Sequence, residues 1–370
     1  MTKRTRVGVL CGGKSAEHEV SLQSAKSIVE AMDRDKYEIL IIGLDKKGRW
    51  WGYETEDFLK YPDDPTRISL EQSSARLAFI PGEREKPLLD FSKSRVLDGI
   101  DVVFPVLHGP FGEDGTLQGL MKLADMPFVG PSVLGSAIGM DKDVAKRLLR
   151  DAGIPVAKWL VAGRSSSDRI DFQKAEKALG LPFFVKPANL GSSVGVRLVT
   201  APDDFQAALE EAFTYDSKII VEENISGREI ECSVLGNENP IASLPGEVIT
   251  DTKKHTFYSY EAKYVDGSGA ILKIPADLSQ DTIQRIQELA VKSFKTLCCE
   301  GMARADFFLK EDQGLVVNEL NTIPGFTKIS MYPKLWEVSG LPYRELIDRL
   351  ISLALDRHER ERTLQTSVFP

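Results

Sequence analysis

Three short, unbroken apolar runs mark the first 110 residues: RVGVL (6–10), EILIIGL (38–44) and DVVFPVL (101–107). A strand with one wetted face alternates polar and apolar residues, whereas an unbroken run is buried on both faces. Between the first two runs lies a stretch of helical period, roughly 17–31, with Val20, Ser24, Ile28 and Ala31 on one face. Strand, helix and strand in that order require a crossover, which makes the two strands parallel. The N-terminal part is therefore expected to be an α/β unit with helices on both faces of a parallel sheet. The segment from about 60 to 98 is polar and irregular and predicts no regular element.

Near residue 130 the texture changes. VGPSVLGSAIGMDK leads into a helix at about 141–152 that stops at Gly153, before Ile154-Pro155. KWLVAG, a helix near 171–179, LPFFVKP, GVRLV, a helix near 202–213 and KIIVEEN follow, which reads as a small α+β unit. A third unit holds ECSVLG, a long polar stretch (246–269), a helix near 279–298 and two strands separated by KEDQG. The expected division is 1–130, 131–225 and 226–360. A tail, 361–370, follows, with fraying expected to begin in the charged stretch DRHERER (356–362).

Composition narrows the function. The formal net charge of −8 disfavours a nucleic-acid or anionic-membrane partner, because both reward clustered Lys and Arg. No apolar run approaches the ~18 residues of a membrane span. The N-terminus has no apolar signal-peptide core, so a cytoplasmic location is expected. Cys11, Cys232, Cys298 and Cys299 form neither a C-x-x-C pair nor a zinc spacing, and read as small buried hydrophobes in a reducing compartment.

Six motifs carry chemistry. ARADFFLK (303–310) and GLVVNELN (314–321) are joined by a short turn and predict an antiparallel hairpin. A turn at 311–314 sets Asp306 opposite Glu319 and Arg304 opposite Asn321, all on one face. Two opposed carboxylates repel. A hard cation would resolve that conflict, with Asn321 adding a neutral oxygen, and a merely solvated face is the alternative. FFVKPANLGSSVGVRLV (183–199) places Lys186 at a strand end before a Gly/Ser loop. Such a loop lets backbone N–H groups approach phosphate, or is an ordinary flexible turn. It is no Walker loop, since strand follows it. KIIVEENISGREIE (218–231) gathers Glu222, Glu223 and Glu229 at a junction between units, which suits either a nucleoside site or an acidic linker. LCGGKSAEHEVSL (10–22) sets glycines between strand and helix without the dinucleotide fingerprint. Its Glu17 is placed either for the helix dipole or for a substrate ammonium. LHGPFGEDGT (107–116) follows a buried strand, where open α/β sheets bind ligands, and its His108 is a substrate-orienting or a structural histidine. TFYSYEAKYVDGSG (256–269) lies in a segment too long for a plain connector and reads as a lid or an interaction loop.

Taken together, GGKSAEHEVSL, HGPFGEDGTLQG, SAIGMDK, VKPANLGSSVG, VEENISGREI, YEAKY, ARADFF and NELNTIPGFT, in this order and over nearly the whole chain, resemble the D-alanine–D-alanine ligases of the ATP-grasp superfamily. The resemblance implies a three-domain ATP-grasp architecture, mixed α/β and α+β, with an N-terminal parallel-sheet, Rossmann-like domain. It implies ATP and D-alanine as substrates, two magnesium (or manganese) ions, and a homodimer. By the same resemblance Lys142, Lys186 and the loop bearing Ser193 contact the phosphates, and Glu222, Glu223 and Glu229 line the adenine and ribose site. Asp306, Glu319 and Asn321 hold the metals. Glu17 and His108 serve the first D-alanine, and Ser192 and Tyr264 join Glu17 in closing the lid. Lys263 faces the γ-phosphate, Arg304 and the Gly325 N–H receive the oxyanion, and Ser330 with the Met331 backbone holds the second carboxylate. Relatives that use D-lactate depart from the E-A-K-Y pattern, which is intact here and favours an amine nucleophile. A D-lactate or D-serine ligase, or a non-catalytic nucleotide-binding protein of the same fold, is the alternative.

Overall fold

A computed structural model of the chain describes residues 4–164, 170–250, 270–365 and 367–368. The first unit opens with β1 (Thr5–Gly12), α1 (His18–Ala31), β2 (Tyr37–Leu44) and β3 (Trp50–Tyr53). Two small antiparallel sheets follow, β4 (Leu59–Lys60) with β5 (Ser69–Leu70), and β6 (Leu77–Phe79), β7 (Leu88–Asp90) and β8 (Arg95–Val96). β9 (Val102–Pro105) and α2 (Thr116–Leu123) complete it. The main sheet runs β3-β2-β1-β9, with β1 parallel to both β2 and β9 as expected and β3 added as an antiparallel edge. Alternation along β1 fills both faces. Val7, Val9 and Cys11 pack with Leu22, Ala25 and Ile28 of α1, and Leu10 packs with Leu117 and Met121 of α2. The segment from 60 to 98 is not irregular as expected. Widely spaced apolar residues, Ile68, Leu77 and Leu88, are fully buried and pin short strands between polar turns. A spacing that sparse leaves no periodicity to read.

The second unit holds α3 (Val133–Met140), α4 (Lys142–Asp151), β10 (Trp159–Gly163), α5 (Phe172–Leu179), β11 (Phe183–Pro187), β12 (Arg197–Val199), α6 (Pro202–Tyr215) and β13 (Lys218–Glu223). Its antiparallel sheet, β10-β13-β11-β12, buries Phe183, Val185, Ile219 and Val221 against Ala175 of α5 and Phe205, Ala208 and Ala212 of α6. Lys186 and Glu222 fall at the alternate positions, away from that core. α4 is capped by the Asp141 carboxylate, which accepts from the Asp143 and Val144 N–H groups. Its Ala145 and Leu149 pack not on this sheet but in the core of the third unit.

The third unit holds β14 (Arg228–Gly236), β15 (Ile241–Ala242), β16 (Gly246–Thr250), β17 (Ala270–Lys273), α7 (Gln280–Thr296), β18 (Gly301–Leu309), β19 (Leu315–Asn321), α8 (Met331–Val338) and α9 (Tyr343–Arg362). Its sheet runs β17-β16-β14-β18-β19, with β15 beside β14. Ile286, Ala290 and Phe294 of α7 cover one face. On α9, Leu346, Ile347, Leu350 and Ile351 join one core with Val7, Val102 and Phe104, so the first and third units share apolar packing.

Two expectations change here. DRHERER does not fray: it is the last two turns of α9. Arg357 is buried there and donates to the carbonyls of Gly130 (2.6 Å) and Phe128 (2.7 Å). A charged run looks solvated in sequence, but this guanidinium is spent on backbone oxygens of another unit. Cys298 is exposed, unlike the other three cysteines, because the chain turns through a positive φ just past α7. Among the described residues no helix is long and apolar enough to cross a membrane.

Candidate active site

The β18–β19 hairpin pairs Asp306 with Glu319 and Arg304 with Asn321, as expected, but by a different route. The loop takes five residues rather than four, so Leu309 meets Leu315 and Phe307 meets Val317. That offset alone would turn Glu319 toward the core. A bulge between the Phe307–Val317 and Asp306–Glu319 pairs leaves Asn318 as the extra residue and resets the alternation. Ala303, Ala305, Phe307 and Leu309 are buried beneath, and Arg304, Asp306, Glu319 and Asn321 are half-buried on the open face. β14 lies on the other side of β18 and sets Glu231 opposite Asp306, so three carboxylates stand in one row across three strands.

Cations divide that row. The Arg304 guanidinium donates twice to Asp306, both at 2.7 Å, and its Nε is 2.9 Å from Glu231. Asn321 donates to Asp306 at 2.8 Å. Lys142, at the first turn of α4, reaches Glu319 at 3.2 Å and the Leu190 carbonyl at 2.7 Å. Among the described residues no cluster of three His, Cys, Asp or Glu forms a protein-only metal cage. Two carboxylates and an amide oxygen on one face still fit magnesium, which takes one or two carboxylates and completes its shell with phosphate oxygens and water.

The second wall is the Gly/Ser loop between β11 and β12, which is a hairpin as expected. Ser192 and Ser193 sit at φ +50° and +59°, a region non-glycine residues rarely adopt. Ser192 spends its hydroxyl on Glu17, so the loop of the second unit touches the residue that precedes the first helix of the first unit. Beneath the loop, Lys186 pairs with Glu222, which also pairs with Lys146. Burial pushes the Glu222 carboxyl up, but the two ammoniums outweigh it and hold it at about 2. Glu223 instead accepts from the Lys158 N–H at 2.7 Å, and Glu229 is half-buried on β14 opposite Phe308 and Val248.

The third wall is built at the carboxyl ends of β1 and β9. Gly12 has no room for a side chain, since a Cβ would lie 2.3 Å from the Leu44 carbonyl. This tight turn lets α1 start with Glu17 against the sheet end. A Cβ on Gly109 or Gly191 would fall 2.8 or 3.1 Å from a Glu17 oxygen, so bare backbone flanks that carboxylate on two sides. His108 is buried, and burial pushes its pKa down against the pull of Glu17. Its Nδ1 lies 2.9 Å from the Ile323 carbonyl and its Nε2 3.3 Å from Ser24 Oγ, which also accepts from the Phe326 N–H. The histidine thus braces the loop carrying Gly325. Ser330 precedes α8 and accepts from the Thr327 N–H at 3.0 Å. The Met331 side chain is buried beside Leu335, leaving its backbone at the helix start.

Three residues marked out by no motif role belong to the same walls. Glu113 accepts from the Gly109 N–H (2.6 Å) and the Ile323 N–H (3.0 Å), clamping two loops 210 residues apart. Glu231 shares Arg304, and Lys146 shares Glu222. Each lies within or beside a stretch already read for chemistry. Only the distant partner reveals its part. Lys263 and Tyr264 lie outside the described residues.

The three walls bring lysines, carboxylates and exposed backbone N–H groups together around one cleft, a set of groups that can handle anions. The D-Ala–D-Ala ligase N-terminal family model matches residues 6–131 and its C-terminal counterpart residues 148–352. A D-alanine–D-alanine ligase of Shouchella clausii is 55% identical over 366 residues, 99% of each chain. The solved D-alanine–D-alanine ligase of Coxiella burnetii superposes with a TM-score of 0.85 at 41% identity, over 98% of this chain and 97% of that one. The VanG D-Ala:D-Ser ligase of Enterococcus faecalis superposes at 0.83 with 35% identity, over 95% of this chain and 100% of that one. With both family models matched and a full-length relative above half identity, the chain belongs to the D-alanine–D-alanine ligase family.

Proposed function

We propose that this protein joins two D-alanines, using ATP, by way of an acyl phosphate, as a step in making a peptidoglycan precursor. A carboxylate acylates poorly because its leaving group would be oxide. Attack of the first D-alanine's carboxylate on the γ-phosphate breaks the bond to the β-phosphate, releases ADP and gives an acyl phosphate whose leaving group is phosphate. The second D-alanine, as its free amine, then attacks the acyl carbon, phosphate departs, and the nitrogen gives up a proton to leave the amide. Both partners of the first step are anions, so placed cations must lower the barrier. Lys142 and Lys186 stand on the phosphate side, and Lys263 is carried over from the resemblance for the γ-phosphate. Asp306, Glu319 and Asn321 would hold two magnesium (or manganese) ions, whose charge offsets that of the phosphate oxygens.

The remaining residues bind and orient. Glu17 takes the ammonium of the first D-alanine, and Ser192 and Tyr264 close the lid over it. His108 fixes the loop beside it. Arg304 and the Gly325 N–H receive the oxyanion, and one such donor is worth about 3 kcal/mol. Ser330 and the Met331 N–H, at the start of α8, take the second carboxylate. Ser193, Glu223 and Glu229 complete the nucleotide side. The observation carrying this reading is the contact of Ser192 with Glu17, which brings the phosphate loop onto an amino-acid site. The 1–130, 131–225 and 226–360 units would act as its three walls. We further infer a cytoplasmic homodimer.

The test is phosphate release from ATP and magnesium with D-alanine, with D-alanine plus D-serine, and with D-alanine plus D-lactate, products being identified by mass. D-alanyl-D-alanine from D-alanine alone is expected. Release only with D-serine or D-lactate would move the specificity to those ligases, and release with none would remove the reading.

A further inference from the structure

Lys146 has no part in the scheme above, yet it is only 2% exposed. It follows Lys142 by four residues on α4 and so lies on the same side of the helix, one turn deeper. A buried ammonium is costly unless it is paired. Its partners are one carboxylate oxygen of Glu222 and, at 3.4 Å, the carbonyl of Asn318. The other Glu222 oxygen holds Lys186, which reaches it diagonally across the β11–β13 ladder. Lys146 therefore touches two of the structures that set the site: the carboxylate that anchors the phosphate-side lysine, and the bulge that turns Glu319 outward.

We propose that Lys146 is a positioning residue for ATP: by holding Glu222 it aims the Lys186 ammonium at the phosphates, and through Asn318 it fixes the bulge beneath Glu319. If Lys146 is removed, Glu222 keeps one counter-ion, draws Lys186 wholly into the pair and withholds its charge from the nucleotide. If Glu222 is removed as well, no fully buried charge is left, but the Lys186 ammonium has lost its anchor.

The inference rests on the ligase reading, so ATP affinity is titrated directly, with magnesium, beside dipeptide formation. A parent that binds ATP but makes no dipeptide removes the ligase reading and leaves this proposal judged on binding. Lys146→Met is expected to weaken ATP binding and raise the ATP KM about tenfold, the value of one charge-assisted contact, with the D-alanine KM within about twofold. Lys146→Arg restores most of that loss. Where Lys146→Met folds poorly, the double variant Lys146→Met/Glu222→Gln carries the test, since it removes both fully buried charges and leaves only the Lys186 ammonium, whose side chain is 14% exposed. It is expected to melt above Glu222→Gln, which strands two ammoniums rather than one, while ATP binding stays about tenfold weak. Parental ATP affinity in either folded variant, or equal losses for ATP and D-alanine, would overturn the proposal.

Discussion

Glu222, buried, and Glu113, half-buried, are carboxyl groups in the walls of one site, and they are held in opposite charge states. Burial raises the pKa of each. For Glu222 the ammoniums of Lys146 and Lys186 outweigh it, and the carboxyl is held at about 2. For Glu113 the neighbouring charge is Glu17, with a smaller push from Glu319. Two backbone N–H bonds oppose them without prevailing, and the carboxyl is pushed up to about 8. Burial is common to both, so the nearest charge decides the sign. The nucleotide wall thus carries fixed positive charge before any phosphate arrives. The amino-acid wall carries excess negative charge that an incoming ammonium would relieve.

The largest effect expected from this contrast is in Glu222→Gln. It strands two ammoniums in a buried place, and breaking such a pair costs about 3–5 kcal/mol. The pH sign follows from the depressed pKa. Glu222 contributes stability that is fully present above its ordinary 4.5 and is lost as pH falls toward 2. Acid unfolding of the parent, followed by circular dichroism, should therefore include a component between those values that Glu222→Gln lacks. A variant as stable as the parent at pH 7 would break the contrast on its nucleotide side.

Glu319→Gln probes a third carboxylate, one that neither burial nor a buried pair defines. Its side chain is 29% exposed and its cation, Lys142, is shared with a carbonyl. An ion pair in that setting is worth about 0–1 kcal/mol, so the melting temperature should barely move. Turnover should fall by about two orders of magnitude, the scale of one lost electrostatic contact to the reacting groups. Normal turnover would sink the assignment of Glu319 to the metals.

These carboxylates also differ in how far sequence exposes them. Asp306 and Glu319 were legible because a strand has period two and a short loop fixes which residues face each other. Even there, a five-residue loop and the bulge at Asn318 offset one another, and neither is visible in the letters NEL. Glu222 was legible as acidic but not as the partner of two lysines. KDVAKRLLRD reads as an amphipathic helix on which Lys146 resembles any solvated lysine, and its burial follows from a hairpin 172 residues away. Glu113 lies inside a recognised motif, yet its partner Ile323 is 210 residues distant. Parallel strands and the order of units come from local periodicity. Contacts across unit boundaries have no local signature, and they make up much of this site.

The smallest expected effect, and the one that tests the amino-acid wall, is in Glu113→Gln. An amide keeps one acceptor for the two N–H groups, so below pH 4.5, where the carboxyl is protonated in the folded and unfolded chain alike, the cost is about 1 kcal/mol, one net hydrogen bond. Its pH signature is the mirror image of that of Glu222. A carboxyl raised from 4.5 to about 8 contributes stability that is fully present below 4.5 and is lost as pH rises through 8. In nucleotide- and metal-free protein, the parent should lose stability over that window and Glu113→Gln should lose less. Glu17→Gln sharpens the comparison, because it removes the like charge while leaving Glu113 in place. The window should then narrow from its upper end, as the Glu113 carboxyl relaxes toward its ordinary range. If the window stays unchanged in Glu17→Gln, burial alone holds that proton, and the excess negative charge of the amino-acid wall does not exist.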